Sequence, residues 1–159
     1  MIKLILIVIA GVVLSACDQQ TPEDPKTRWT DGAATAWAPV KQRWYTPEQV
    51  TAGAALYREN CSTCHKENAE GTADWKTRDA NGQLPPPPLN GTAHTWHHPL
   101  RALAWQIKFG APGGQGAMPG FSQTLSDEQV SDVVAWFQDR WSDEIYAQWF
   151  EIEMRSRAK

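Results

Sequence analysis

An all-α domain is predicted by three features of the 159-residue chain. Three stretches carry apolar residues at helical spacing between clear start and stop signals. No stretch alternates apolar and polar residues as a half-buried strand would. The motif Cys61-Ser62-Thr63-Cys64-His65 follows directly on the first helical stretch. The length suits one domain with tails to spare, and a 42% hydrophobic content suits a packed core. Net charge is −3, so the chain lacks the basic footprint of a nucleic-acid-binding protein.

The Cys61–His65 motif carries the chemistry. Two cysteines three apart with histidine next is the attachment signature of c-type haem. The two thiols can add across the two vinyl groups of one haem, and the adjoining imidazole then serves as proximal iron ligand. C-x-x-C alone would also suit a thiol redox pair or half a zinc site. Zinc needs a second ligand pair, and the chain offers only one further cysteine, Cys17. A thioredoxin-like pair wants a strand before it, whereas residues 46–60 read as helix. One covalent haem c on Cys61 and Cys64, with His65 on the iron, is therefore the expected cofactor.

Each helix has its own signals. Thr46-Pro47-Glu48 supplies an N-cap and a proline at the first helical position, with Val50, Ala54 and Tyr57 on one stripe and Gly53 permitting close approach of another helix. Residues 66–83 are polar and turn-rich, and Pro85 to Pro88 form a rigid, donor-free tract that would frame a haem edge or serve as a surface loop. His98-Pro99 starts a second helix, striped by Leu100, Leu103, Ala104 and Ile107 and stopped by Gly110. A glycine-rich loop containing Met118-Pro119 precedes Ser126-Asp127-Glu128, which opens the last helix with an N-cap and acidic first turn. Val130, Val133, Val134 and Phe137 stripe it, and Trp141, Ile145 and Trp149 continue at steps of four, so it either runs on or bends near Ser142.

The N-terminus reads as a targeting segment. Lys3 precedes an apolar run from Leu4 to Leu14, which is too short to span a bilayer and matches a signal-peptide core. The run ends Leu14-Ser15-Ala16-Cys17, similar to a bacterial lipobox in which Cys17 would be lipidated and become residue one. A general signal cleavage site, or an uncleaved anchor with a chance cysteine, is the alternative. Several acyl chains would hold the protein stably at a membrane. The expected division is signal peptide 1–16, lipid-anchored tether 17–45, haem domain 46–141 and C-terminal helical extension 142–159. Trp29, Trp37 and Trp44 sit oddly in a tether, so part of it should lie along the domain or a partner.

From residue 46 to about 141 the sequence resembles a class I cytochrome c: helix, C-x-x-C-H, proline and leucine-glycine loop, helix ending in glycine, Met-Pro, last helix. The loop between His65 and Leu89 looks longer than in the smallest members, and the tail beyond Trp141 is extra. The resemblance implies that Gly53 and Tyr57 pack across the last helix beside Trp136, and that Met118 is the distal ligand. Met118 is also the placed candidate among the methionines, since Met1 leaves with the leader and Met154 lies in the tail; the alternative is a loop methionine filling a core gap. His94, His97 and His98 could supply a bis-histidine haem or bind copper with a neighbouring chain, or one or two of them cap or buttress the helix that begins at Pro99. With both axial sites filled, the iron would cycle between ferrous and ferric without a substrate site, and no Ser/His/Asp or paired-carboxylate constellation stands out. The resemblance thus implies an electron carrier rather than an enzyme, working in a respiratory chain with a quinol-oxidising complex, an oxidase or a dehydrogenase. Asp18 after the cysteine implies retention on the periplasmic face of a bacterial inner membrane. A permanent haem subunit of a larger oxidoreductase, and a haem enzyme or gas sensor with a displaceable distal ligand, are the alternatives.

Overall fold

Capping chemistry sets where each helix begins. The computed structural model describes residues 42–111, 113 and 115–158. Helix α1 spans Pro47–Asn60; Thr46 caps it, its hydroxyl accepting from Gln49 N while the Gln49 side chain accepts from Thr46 N. Helix α2 is the single turn Ser62–His65. A 3₁₀ turn, His94–His97, leads to α3, Leu100–Phe109. Helix α4, Asp127–Gln138, opens on a second capping box formed by Ser126 and Gln129. Helix α5, Asp143–Arg157, starts afresh after a break: Ser142 caps it, its hydroxyl accepting from Ile145 N. The apolar stripe that continues to Trp149 is therefore shared by two helices with a break between them. Among the described residues no strand forms, only an isolated bridge between Leu84 and Gly116.

The core lies where α1 crosses α4. A Cβ added at Gly53 would stand 2.0 Å from the Asp132 carbonyl oxygen and 2.9 Å from Trp136 Cβ, so only glycine lets the two backbones touch. One turn on, Tyr57 stacks on Trp136 with centroids 3.9 Å apart, and the Arg140 guanidinium lies 3.3 Å over the other face of that indole. The expected glycine–aromatic crossing is present. Leu103 and Ile107 of α3 pack in the same buried cluster as Val130, Val133, Val134 and Phe137 of α4.

A second part of the core gathers around α5. Tyr45, Trp141, Tyr146 and Trp149 are all buried, with Tyr146 and Trp149 ring centroids 5.1 Å apart. Trp44 Nε1 donates to Gln138 Oε1 at 2.6 Å, and Arg43 pairs with Asp143 at 2.7 Å. The last residues of the stretch read as tether thus belong to the packed domain. Burial pushes the Tyr146 hydroxyl up to about 12. Cys17, Trp29, Trp37 and the 1–16 segment lie outside the described residues. Among the described residues no helix is long and apolar enough to cross a membrane.

Helix α3 begins at a residue that cannot cap it, because Pro99 has no side-chain acceptor. None of the three histidines fills the role. Glu153 of α5 does: its buried carboxylate accepts from Leu100 N at 2.7 Å and pairs with Arg157 Nε at 2.6 Å. Of the two structural roles expected for these histidines, capping is thus taken by a carboxylate, a charged acceptor that the helix dipole favours.

The α1–α4 contact leads to a first prediction. Gly53→Ala should lower stability by about 2–3 kcal/mol, as overpacking against backbone that cannot yield. Thermal unfolding measures it, and a variant as stable as the parent would contradict the contact.

Candidate haem site

The motif residues are brought together by one helical turn. His65 N donates to Cys61 O at 2.9 Å and Cys64 N to the same oxygen at 3.2 Å. Positions 61, 64 and 65 are thus i, i+3 and i+4, which on a helix share one side. Cys61 is half-buried, Cys64 is exposed and neither forms a disulfide. Burial, with a smaller contribution from Cys64, pushes the Cys61 thiol up to about 11.

His65 is buried and anchored. Its Nδ1 lies 2.9 Å from the Pro87 carbonyl oxygen, which can only accept, so Nδ1 carries the proton. The Nε2 lone pair is then the one free to bind a metal, the arrangement by which proteins fix imidazole ligands. Burial holds the imidazole below its ordinary range, and the bond to Pro87 only partly opposes this, so the neutral, ligating form is favoured. The turn is closed from the α1 side by the Tyr57 hydroxyl, which donates to Lys66 O at 2.9 Å.

Met118 sits on a loop laced to the end of α3. Ala111 N donates to Met118 O at 3.0 Å, and Phe121 N to Ile107 O at 3.0 Å. Gly110 lies at φ +72°, and a Cβ there would meet Met118 O at 2.4 Å, so this glycine is required twice over. The Met118 side chain is half-buried against the core, with Gln106 Nε2 4.0 Å from its sulfur. The same amide donates to Gly110 O at 2.6 Å. Gln106 was not singled out by the sequence; its only signal was a polar residue one turn before the helix-ending glycine. The proline tract and the methionine loop are joined directly, since Leu84 N donates to Gln115 O at 2.9 Å.

The donor set fits a covalent haem. It offers two thiols and one tautomer-fixed imidazole on a single turn, and a thioether on a loop tied to the same framework. The three histidines instead make ring contacts of their own. His94 stacks on Trp75 at 4.6 Å and His98 meets it edge-on at 5.4 Å, while His97 and His98 are exposed. Among the described residues no group of three or more histidine, cysteine or carboxylate side chains is placed to hold a metal ion.

A family model described as "Cytochrome C oxidase, cbb3-type, subunit III" matches residues 48–137. Cytochrome c6 of Limnospira maxima is 31% identical over 91 residues, which cover 57% of this chain and 92% of that protein. Cytochrome c6 of a Picosynechococcus species is 28% identical over 91 residues, covering 57% of this chain and 73% of that protein. The cytochrome c subunit of a quinone alcohol dehydrogenase from Gluconobacter oxydans is 32% identical over 103 residues, 60% of this chain but 19% of that subunit. No solved structure matches comparably.

The histidine cluster yields a pH prediction. Burial, and then the neighbouring histidines, hold His94 and His98 below the ordinary imidazole range. Above pH ~6.5 both folded and unfolded chains carry them neutral, with no effect on stability. Below it the unfolded chain binds protons that the fold resists, so stability falls as pH falls. Urea midpoints should drop between pH 7.5 and 5.5, and His94→Gln should reduce that drop.

Proposed function

The chain belongs to this family of class I c-type cytochromes, and on that premise we propose that it is a one-haem electron carrier, lipid-anchored through Cys17 at the periplasmic face of a bacterial inner membrane. Cys61 and Cys64 hold the haem through thioether bonds, His65 is the proximal ligand and Met118 the distal one. Haem c supplies a one-electron ferric/ferrous couple. The chain's own residues fix the imidazole, present the thioether and leave no axial site for substrate. A thioether paired with one imidazole favours the ferrous state and a raised potential. The observation that carries the reading is the His65–Pro87 bond: it leaves Nε2 as the ligating nitrogen beside two thiols on the same turn.

The membrane and respiratory parts rest on the sequence. A leader ending in Leu14-Ser15-Ala16-Cys17 gives an exported, acylated protein, and export is where haem is attached in bacteria. The lipid and tether would confine the haem domain near quinol-oxidising complexes, oxidases or dehydrogenases, its electron donors and acceptors. Globomycin treatment should cause the unprocessed precursor to accumulate, and Cys17→Ser should lose the lipid while keeping haem.

A second reading is a haem subunit built into a larger oxidoreductase. It is favoured by the relative that is a dehydrogenase subunit and by two exposed aromatics on α3, Trp105 and Phe109. Size-exclusion of the detergent-extracted native protein separates the two, a free carrier eluting alone.

Met118 divides carrier from haem enzyme or gas sensor. The oxidised protein should show the weak far-red band of thioether ligation and should not bind carbon monoxide when reduced. Met118→Ala should lose the band, admit carbon monoxide and lower the potential. Carbon monoxide binding by the unaltered protein would overturn the carrier reading.

A further inference from the structure

Four consecutive carbonyls of the proline tract are each held by a different donor. Pro86 O accepts from Thr72 N at 2.8 Å, and Pro87 O from His65 Nδ1 at 2.9 Å. Pro88 O accepts from Thr95 Oγ1 at 2.9 Å, and Leu89 O from Trp141 Nε1 at 2.8 Å. Prolines have no N–H, so Pro86, Pro87 and Pro88 can only accept; with φ fixed by the ring, the donors that meet their carbonyls hold the ψ angle that remains. The carbonyl that faces His65 therefore has an anchored neighbour on either side. Gly71 braces it from behind: a Cβ there would stand 2.4 Å from the Pro87 carbonyl carbon.

Two of those donors belong to buried side chains. Thr95 is 4% exposed, and a buried hydroxyl costs stability unless it is bonded. Its bond to Pro88 O is fully buried and bridges seven residues of chain. Trp141 is 3% exposed, its ring in the core and its N–H spent on Leu89 O. Behind Thr95 stands α5, whose Trp149 Nε1 donates to His98 O at 3.0 Å and so holds the other end of the same short turn.

We propose that Thr95 and Trp141 are positioning residues for His65: through the Pro88 and Leu89 carbonyls they aim the Pro87 carbonyl at Nδ1 and so set how strongly the imidazole donates to iron. The proposal rests on the carrier reading above, with His65 as the proximal ligand. A carbonyl held in line with Nδ1–H gives the ring partial imidazolate character, which stabilises ferric over ferrous iron. Releasing the carbonyl weakens that bond and shifts the equilibrium toward ferrous. Thr95 adjoins the critical carbonyl and should matter more than Trp141, which acts one residue further off.

The test uses the intact haem protein. Thr95→Val keeps shape and removes the hydroxyl; Trp141→Phe keeps a ring and removes the indole N–H. Each should shift the ferric/ferrous equilibrium toward ferrous by up to about fivefold, the worth of one net hydrogen bond. Each should also move the paramagnetically shifted ring-proton resonances of His65. Thr95→Ser should restore both readouts. Tyr146→Phe removes a hydroxyl that accepts from Trp44 N at 3.1 Å, away from the tract, and should cost stability without moving either. If Thr95→Val and Trp141→Phe lower stability like Tyr146→Phe but leave potential and His65 resonances unchanged, the positioning role is wrong while the carrier reading stands. A protein whose spectrum shows no histidine-ligated haem on Cys61 and Cys64 overturns both.

Discussion

The approach of Gly53 to the Asp132 carbonyl is the contact on which the rest of the molecule is hung. It sets α1 against α4 with no side chain between them, and every later relation inherits that spacing. Because Tyr57 lies one turn further along, it meets Trp136 face to face, and Arg140 closes the stack from the other side. Stacking of this kind adds roughly 0.5–1.5 kcal/mol beyond area burial, so it fixes register more than it supplies stability. Its consequence is at the hydroxyl: Tyr57 reaches Lys66 O and pins the end of the turn that carries Cys61, Cys64 and His65. The helix crossing and the Cys61–His65 turn are thus tied to each other.

The Met118 loop and the proline tract are ordered mainly through backbone. Around Met118 and the proline tract the ordering contacts are amide-to-carbonyl bonds, glycine close approaches and buried donors from side chains far along the chain. Exposed ion pairs add little by comparison. Lys108–Asp127, with the aspartate side chain 82% exposed, is a pair of a kind worth ~0–1 kcal/mol. Helix α5 makes the larger contribution. It supplies Glu153 to the bare N-terminus of α3 and Trp149 to the turn that holds Thr95, and α3 in turn bears the Met118 loop. A C-terminal extension that a minimal domain would not need here braces the start of α3 and the turn before it.

What the sequence made legible was local. Thr46, Ser126 and Gly110 were readable as helix boundaries because capping is decided within three or four residues. Gly53, Tyr57 and Trp136 were readable through family resemblance, which carries long-range pairing that periodicity does not. The misread features depend on partners distant in sequence. The cap of α3 comes from Glu153, 53 residues past Leu100, so three histidines beside Pro99 drew an assignment that chemistry gives to a carboxylate. The steps of four through Trp141, Ile145 and Trp149 left open whether the helix runs on or bends near Ser142, because Trp141 in the break and Trp149 of α5 face one buried cluster. The role of Pro87 was hidden for another reason: a carbonyl direction leaves no mark in residue type.

A fixed carbonyl direction suits the electron transfer proposed for the haem. Electron transfer is fast when the ligand set has nearly the same geometry before and after the electron moves, so the surroundings should resist rearrangement. A tract with donors could answer a change in iron charge by exchanging one hydrogen bond for another. The Pro86–Pro88 stretch has no donors to exchange, and Thr72, His65 and Thr95 already hold its carbonyls. Fixed φ angles remove the other route, rotation of the chain. The same restriction appears across the site at Gly110, whose left-handed conformation and contact with Met118 O admit no alternative path for the loop. Rigidity on both sides is therefore written into residues that lack something: prolines without an N–H, glycines without a Cβ.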